Sequence, residues 1–195
     1  MEFQAFTAEY SKRTNKLISK VGVSLTHDPQ SGGNPPAVRE YTAIWDTGAE
    51  ASVVTKKVVE QIGLEPTGKT RVIGVGGQNI ENTYLVNLYL PNKVALTYVR
   101  VTECEELHGG YDLLIGMDVI SIGDFAVTNT KGKTKMSYRI PSIREIDFVK
   151  EANTARAQKQ KKQSKVSKSK LKKKRKQERE NKKKDRENRS RRKRK

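Results

Sequence analysis

Ile44-Trp45-Asp46-Thr47-Gly48-Ala49 is the stretch on which the reading of this chain turns. The residues leading into it, Tyr41-Thr42-Ala43-Ile44-Trp45, are β-branched and aromatic, the composition of a buried strand. They run directly into three turn-forming residues. A strand that ends this way anchors its backbone in the interior and delivers the Asp46 carboxylate at a turn, where a ligand can reach it. Gly48 lets another backbone come close, and Thr47 can hydrogen-bond locally and stiffen the loop. Taken alone, the triplet reads more simply as a strand-to-loop turn, because Asp, Thr and Gly all favour turns.

The flanking sequence supplies the context. Upstream, Lys16-Leu17-Ile18-Ser19-Lys20-Val21-Gly22-Val23-Ser24 reads as a first strand, followed by a loop dense in turn formers around Gly32-Gly33-Asn34-Pro35-Pro36. Downstream, Thr55 stands where a short helix would start. Val58, Val59 and Ile62 share one face of that helix, and Gly63 falls just past its end. Residues 69–90 hold two strand-like runs around Gly74-Val75-Gly76-Gly77, and residues 94–101 hold another. A short apolar run at 111–115 leads into one or two helical turns at 116–122. A hairpin is expected from Phe125-Ala126-Val127-Thr128 and Lys135-Met136-Ser137-Tyr138-Arg139-Ile140 around Lys131-Gly132. Many short strands with only brief helices predict an all-β, barrel-like domain.

Three of these segments together resemble the retropepsin-like (retroviral-type) aspartic proteases. Asp46-Thr47-Gly48-Ala49 after two apolar residues resembles the family's active-site loop. Asp112-Leu113-Leu114-Ile115-Gly116 resembles its second signature, with a short helix expected after it. Val72-Ile73-Gly74-Val75-Gly76-Gly77 lies between them in the style of the glycine-rich flap. The resemblance spans roughly residues 17–141 and implies an acid-protease barrel. It also implies an aspartic endopeptidase acting on peptide or protein substrates. Two aspartates would flank one water, one ionised as general base and the other protonated, with no covalent intermediate and no cofactor. The triplet occurs once in this chain, so the second aspartate would come from a second copy in a two-fold homodimer. By the same resemblance the catalytic positions are Asp46, Thr47 and Gly48. Thr47 would lock the two loops together at the two-fold axis. Ala49, the flap residues Gly74, Val75, Gly76 and Gly77, and Leu114, Ile115 and Gly116 would meet substrate. Trp45 is bulkier than the aliphatic residue usual before the aspartate. Met117-Asp118 stands after Gly116 where retroviral members often carry an arginine, which leaves Glu50 without that partner. The Gly-Met-Asp run points to a cellular rather than viral relative.

Composition divides the chain. Of 40 Lys plus Arg and 22 Asp plus Glu, residues 151–195 hold 23 and 5, a net of +18 that equals the charge of the whole chain. Three regions are therefore expected: an extension at 1–15, the protease-like domain at 16–150, and a basic low-complexity tail at 151–195. The tail is too poor in apolar residues to bury a core. Pairs such as Glu178 with Lys182 favour helix, so a disordered or helical tail is expected. Its charge suits non-specific contact with nucleic acid or ribosomes. Cys104 is the single cysteine, and with only His27 and His108 as further soft ligands no metal site is predicted. Ser52 near the active-site loop has no histidine close in sequence. No stretch reaches the roughly 18 to 20 apolar residues of a membrane span, and Met1-Glu2-Phe3-Gln4-Ala5-Phe6 lacks the form of a secretory signal. A cytoplasmic protein is expected, or a nuclear one if the cell has a nucleus. Two other readings stand beside the enzyme: a catalytically silent scaffold of the same fold, and a nucleic-acid-associated protein acting through its tail.

Overall fold

The computed structural model describes residues 3–28, 30, 32–74 and 77–192. The chain divides into two units, Met1–Arg144 and Glu145–Lys195. Among its described residues the first has ten strands, two short α-helices and a 3-10 turn at Thr130–Gly132, and six of the strands close into a barrel. These are β2 (Ile18–Leu25), β3 (Arg39–Trp45), β8 (Leu113–Ile115), β4 (Val53–Thr55), β7 (Ala95–Cys104) and β6 (Gly77–Tyr89), in that order around the ring. Antiparallel pairing of β6 back onto β2, with Gly22 opposite Tyr89 and Leu25 opposite Val86, closes the ring. Closure satisfies the edge hydrogen bonds that an open sheet would expose. β3 pairs with β8 and β4 with β7 in parallel, and the other barrel pairings are antiparallel. The inward residues Val21, Val23, Val86, Leu88, Val101, Leu113 and Ile115 are each essentially inaccessible and form the centre of the core. β5 (Gly68–Gly74) stands outside the ring and pairs only with β6, making a hairpin that extends from the barrel.

A separate three-stranded sheet runs β1 (Gln4–Glu9), β10 (Lys135–Ile140), β9 (Asp124–Thr128). Its aromatic side chains Phe6, Phe125 and Tyr138 surround Trp45, with ring centroids 5.7, 5.8 and 5.1 Å from the indole. The indole N–H donates to Ser19 Oγ at 2.9 Å, so burial leaves no polar group unpaired. The bulk of Trp45 therefore has a purpose: it fastens the small sheet to the barrel one residue before Asp46. The segment 1–15, read from the sequence as an extension, contains β1, whose pairing partner lies at the far end of this unit.

The short helix α1 (Lys56–Ile62) lies where Thr55 and Gly63 place it, and Gly63 takes the left-handed conformation (φ 75°) that closes a helix. Thr55 sits at the start but makes no capping bond. Its hydroxyl is buried without a partner among the described residues. The helix α2 (Met117–Ile120) follows β8 at once, and Tyr138 Oη donates to Val119 O at 2.6 Å, joining α2 to β10. In the second unit, the basic tail forms a single helix, α3 (Phe148–Arg192), whose described side chains are all exposed.

Candidate active site

Asp46 is the first residue beyond β3. Two backbone bonds hold the strand end: Trp45 N–H donates to Leu17 O at 2.8 Å, and Asp46 N–H donates to Ile115 O at 2.9 Å. Ile115 is fully buried, so the backbone of Asp46 is tied to the core while its side chain is exposed. Gly48 N–H donates to Asp46 Oδ1 at 2.8 Å, which orients the carboxylate across the turn. A Cβ at Gly48 would come 3.2 Å from the same oxygen. The Thr47 hydroxyl is exposed and makes no hydrogen bond among the described residues.

The loop beyond Asp46 is stitched to the start of α2 by a ladder that runs both ways. Met117 N–H donates to Ala49 O at 2.8 Å and Asp118 N–H to Glu50 O at 3.1 Å. In return, the Asp118 carboxylate accepts from Ser52 N–H at 3.1 Å and from Ser52 Oγ–H at 2.8 Å. Ser52 Oγ then accepts from Gly116 N–H at 3.1 Å. Ser52 O accepts from Thr102 N–H at 3.2 Å, fixing the other side of the loop to β7. Ser52 is 1% exposed and its polar atoms are satisfied, which makes it a structural serine held by a carboxylate. Gly116 is required for a steric reason. A Cβ there would meet the Ala51 carbonyl carbon at 2.6 Å and its oxygen at 2.7 Å.

Asp118 and Ser52 are the positions that reading the sequence did not assign. The sequence signal for Asp118 was an acid in the first turn of a helix, where the exposed N–H groups favour negative charge. Its partner 66 residues away is set by the fold alone. Asp118 and Ser52 brace the loop after Asp46 against α2. The Glu50 side chain is exposed and forms no ion pair among the described residues. Asp112, in the second signature, accepts from Thr42 N–H at 3.0 Å and from Lys57 Nζ at 2.8 Å. Burial works to raise its pKa, but the bonds from Lys57 and Thr42 outweigh it and hold the carboxyl below its ordinary value. It locks α1 against the β3–β8 pair.

The β5–β6 hairpin carries the glycine-rich segment. Gly74 pairs with Gly77, which has φ 114°, while Val75 and Gly76 lie outside the described residues. Ile73 pairs with Gln78 and Ile80 with Arg71, so both isoleucines project from the same face of the hairpin. Each is 72% exposed, an unusual setting for such residues. Leu114 is half-buried between Ile44 and Val53. No cluster of metal-ligating side chains occurs among the described residues, and none of their helices is long and apolar enough to cross a membrane.

The family model described as aspartyl protease matches residues 32–119, which run from the loop before β3 to the first turn of α2. Over that span the chain is similar to the aspartyl proteases. The matched span contains the Asp-Thr-Gly loop, the β5–β6 hairpin and the run at residues 112–116 together. No curated protein matches the sequence. Among solved structures, the unit resembles a retropepsin-like aspartic protease from Rickettsia conorii, at 13% identity and TM-score 0.45, covering 71% of this chain and 95% of that one. The protease of EIAV is similar at 16% identity and TM-score 0.41, over 55% and 86% of the two chains. A retroviral protease-like domain from Leishmania major is similar at 17% identity and TM-score 0.33, over 66% and 95%. The first unit is mostly β, with six of its strands closed into a barrel, and the solved structures it resembles are retropepsin-like.

Proposed function

We propose that this chain is an aspartic endopeptidase that works as a homodimer, each copy contributing Asp46 to a shared pair of carboxylates. The observation that carries this reading is the setting of Asp46. Its backbone is tied to the core, its carboxylate is exposed and oriented by Gly48 N–H, and the chain holds one Asp-Thr-Gly triplet. Two carboxylates facing each other closely cannot both ionise, so such a pair retains one proton. The ionised member takes a proton from the water between them as the water oxygen attacks the peptide carbonyl. The protonated member donates to the carbonyl oxygen. Collapse of the tetrahedral species then breaks the C–N bond, with a proton passing to the departing nitrogen.

The rest of the site fits this division of labour. The Thr47 hydroxyl, exposed and without a hydrogen bond among the described residues, is available to bond the loop of a second copy. Ala49 and Gly48 border the position of the scissile bond. The β5–β6 hairpin, in which Gly74 pairs with Gly77, closes over the peptide, with Ile73 and Ile80 meeting its apolar side chains. Leu114, Ile115 and Gly116 form the floor, Ile115 through its backbone.

The test is cleavage of a diverse peptide library from acid to neutral pH by the full chain, beside Asp46→Asn and a pepstatin-type inhibitor. Cleavage by the native protein, lost in Asp46→Asn and blocked by the inhibitor, is the expected result. A sedimenting dimer that cleaves nothing at any pH would overturn the proposal in favour of a silent scaffold.

A further inference from the structure

The second unit is dominated by one long basic helix. α3 spans 45 residues, about 68 Å at the rise of an α-helix. Residues 148–192 carry 21 Lys plus Arg against 5 Asp plus Glu. Every described side chain along it is exposed, and Lys172, Lys173 and Lys174 are consecutive. Successive residues point about 100° apart around a helix, so charge faces all directions and no apolar stripe remains to seat in a protein groove. A surface of this kind fits a phosphodiester backbone at any rotation and without regard to base sequence.

The first 150 residues are electrically neutral, and the tail holds the entire net charge of +18. Any dimer that pairs two Asp46 carboxylates must therefore carry two such tails in one particle. Their mutual repulsion opposes association, and a polyanion removes it. A strand long enough to hold both tails does more: it replaces bulk concentration with a local one, on the order of millimolar for tethered partners.

We infer that nucleic acid is the partner of residues 145–195, and that one strand held by two tails assembles the protease dimer. The inference rests on the dimer reading above. A duplex rises about 3.4 Å per base pair, so one tail matches about 20 base pairs and two match about 40. The strand acts as a template, so activity rises with strand up to about one strand per two chains. It falls again when excess strand separates the tails.

The experiment uses full-length protein at nanomolar concentration, with random-sequence duplexes of 12 and 60 base pairs at equal phosphate concentration. Dimer fraction is read by fluorescence-detected sedimentation and activity by peptide cleavage. The 60-mer should lower the protein concentration for half-maximal dimer and cleavage by about 100-fold, within the range that tethering gives. The 12-mer should not. The gain should vanish between 50 and 500 mM salt. It should also weaken in the full-length variant carrying Lys172→Gln, Lys173→Gln, Lys174→Gln and Lys182→Gln, which at high concentration cleaves like the native chain. Equal stimulation by both duplexes, or none by either, overturns the inference. If concentrated native protein dimerises and cleaves without nucleic acid while the 60-mer changes nothing, this inference fails and the protease reading stands. If the 60-mer drives dimers that cleave nothing, the protease reading fails and the templating inference stands.

Discussion

Replacing Asp118 with alanine tests whether the ladder between the active-site loop and α2 holds the site together. The carboxylate accepts two hydrogen bonds from Ser52, at 3.1 Å from the backbone N–H and 2.8 Å from the hydroxyl. Hydrogen bonds to a charged acceptor contribute about 1.5–3 kcal/mol each. Asp118 is half-buried, so water replaces part of the loss, whereas Ser52 at 1% exposure is left with a buried donor unpaired. The expected destabilisation is therefore about 2–4 kcal/mol. With a urea m-value of about 2 kcal/mol/M, typical of a small domain, the unfolding midpoint falls by about 1–2 M. The decisive arm is a double-mutant cycle with Ser52→Ala. Ser52→Ala removes the same Oγ–Oδ1 bond and also strands Gly116 N–H. The double mutant should therefore be less destabilised than the two single changes added, with a coupling of about 0.5–3 kcal/mol. Additive behaviour, or a loss under about 0.5 kcal/mol for Asp118→Ala, would refute the idea that this pair braces the loop. The more conservative Asp118→Asn keeps one acceptor oxygen and should fall between native and Asp118→Ala.

Three further outcomes are expected. Gly116→Ala drives a Cβ to 2.6 Å from the Ala51 carbonyl carbon, which cannot yield without displacing the loop that carries Asp46. It should cost about 1–3 kcal/mol in urea unfolding and abolish peptide cleavage, and native-like cleavage would refute the steric account. Burial, with Glu81, Glu103 and Glu105 nearby, pushes the Cys104 thiol up from 9.0 to about 11. Alkylation by iodoacetamide at pH 8 should run about 100-fold slower in the native protein than in urea-unfolded chain, because only the thiolate reacts, and equal rates would contradict this. The Asp124 carboxyl is lowered to about 2 by bonds from the Ser142 hydroxyl, the Ile143 N–H and Arg139. Its unfolded value is near 3.9, so its stabilisation is present above about pH 4 and is lost as pH falls toward 2. Urea midpoints should drop across that window in the native protein and less in Asp124→Asn. Identical pH profiles would remove Asp124 from the account.

Local chemistry was enough to read much of this molecule in advance. The β-branched and aromatic run into Asp46, the Gly63 helix stop and the hairpin around Lys131-Gly132 are short-range features, each set by propensity and turn geometry within a few residues. The charge division was equally legible, because a segment with almost no apolar residues cannot contribute to a core wherever it lies. The all-β class followed from many short strands with only brief helices, and the retropepsin-like resemblance from the order of the segments at Asp46, at 74–77 and at 112–116. What the sequence did not disclose depends on partners far along the chain. β1 has ordinary composition and becomes a strand because β10 offers it an edge some 130 residues away. β4 is three residues long and is ordered by β7 on one side and β8 on the other. The size of Trp45 looked like a departure until the aromatic cluster around it was in place, and Met117-Asp118 looked like the loss of an arginine until Ser52 came within 2.8 Å of Asp118. Sequence alone determined most of the strands and turns and the charged tail, β1 and β4 excepted, because those choices are settled by a residue and its near neighbours. Tertiary structure decided how the Asp46 loop is braced, because a buried hydrogen bond is specified by two groups meeting in space, and only the closed barrel brings residues 52, 116 and 118 together.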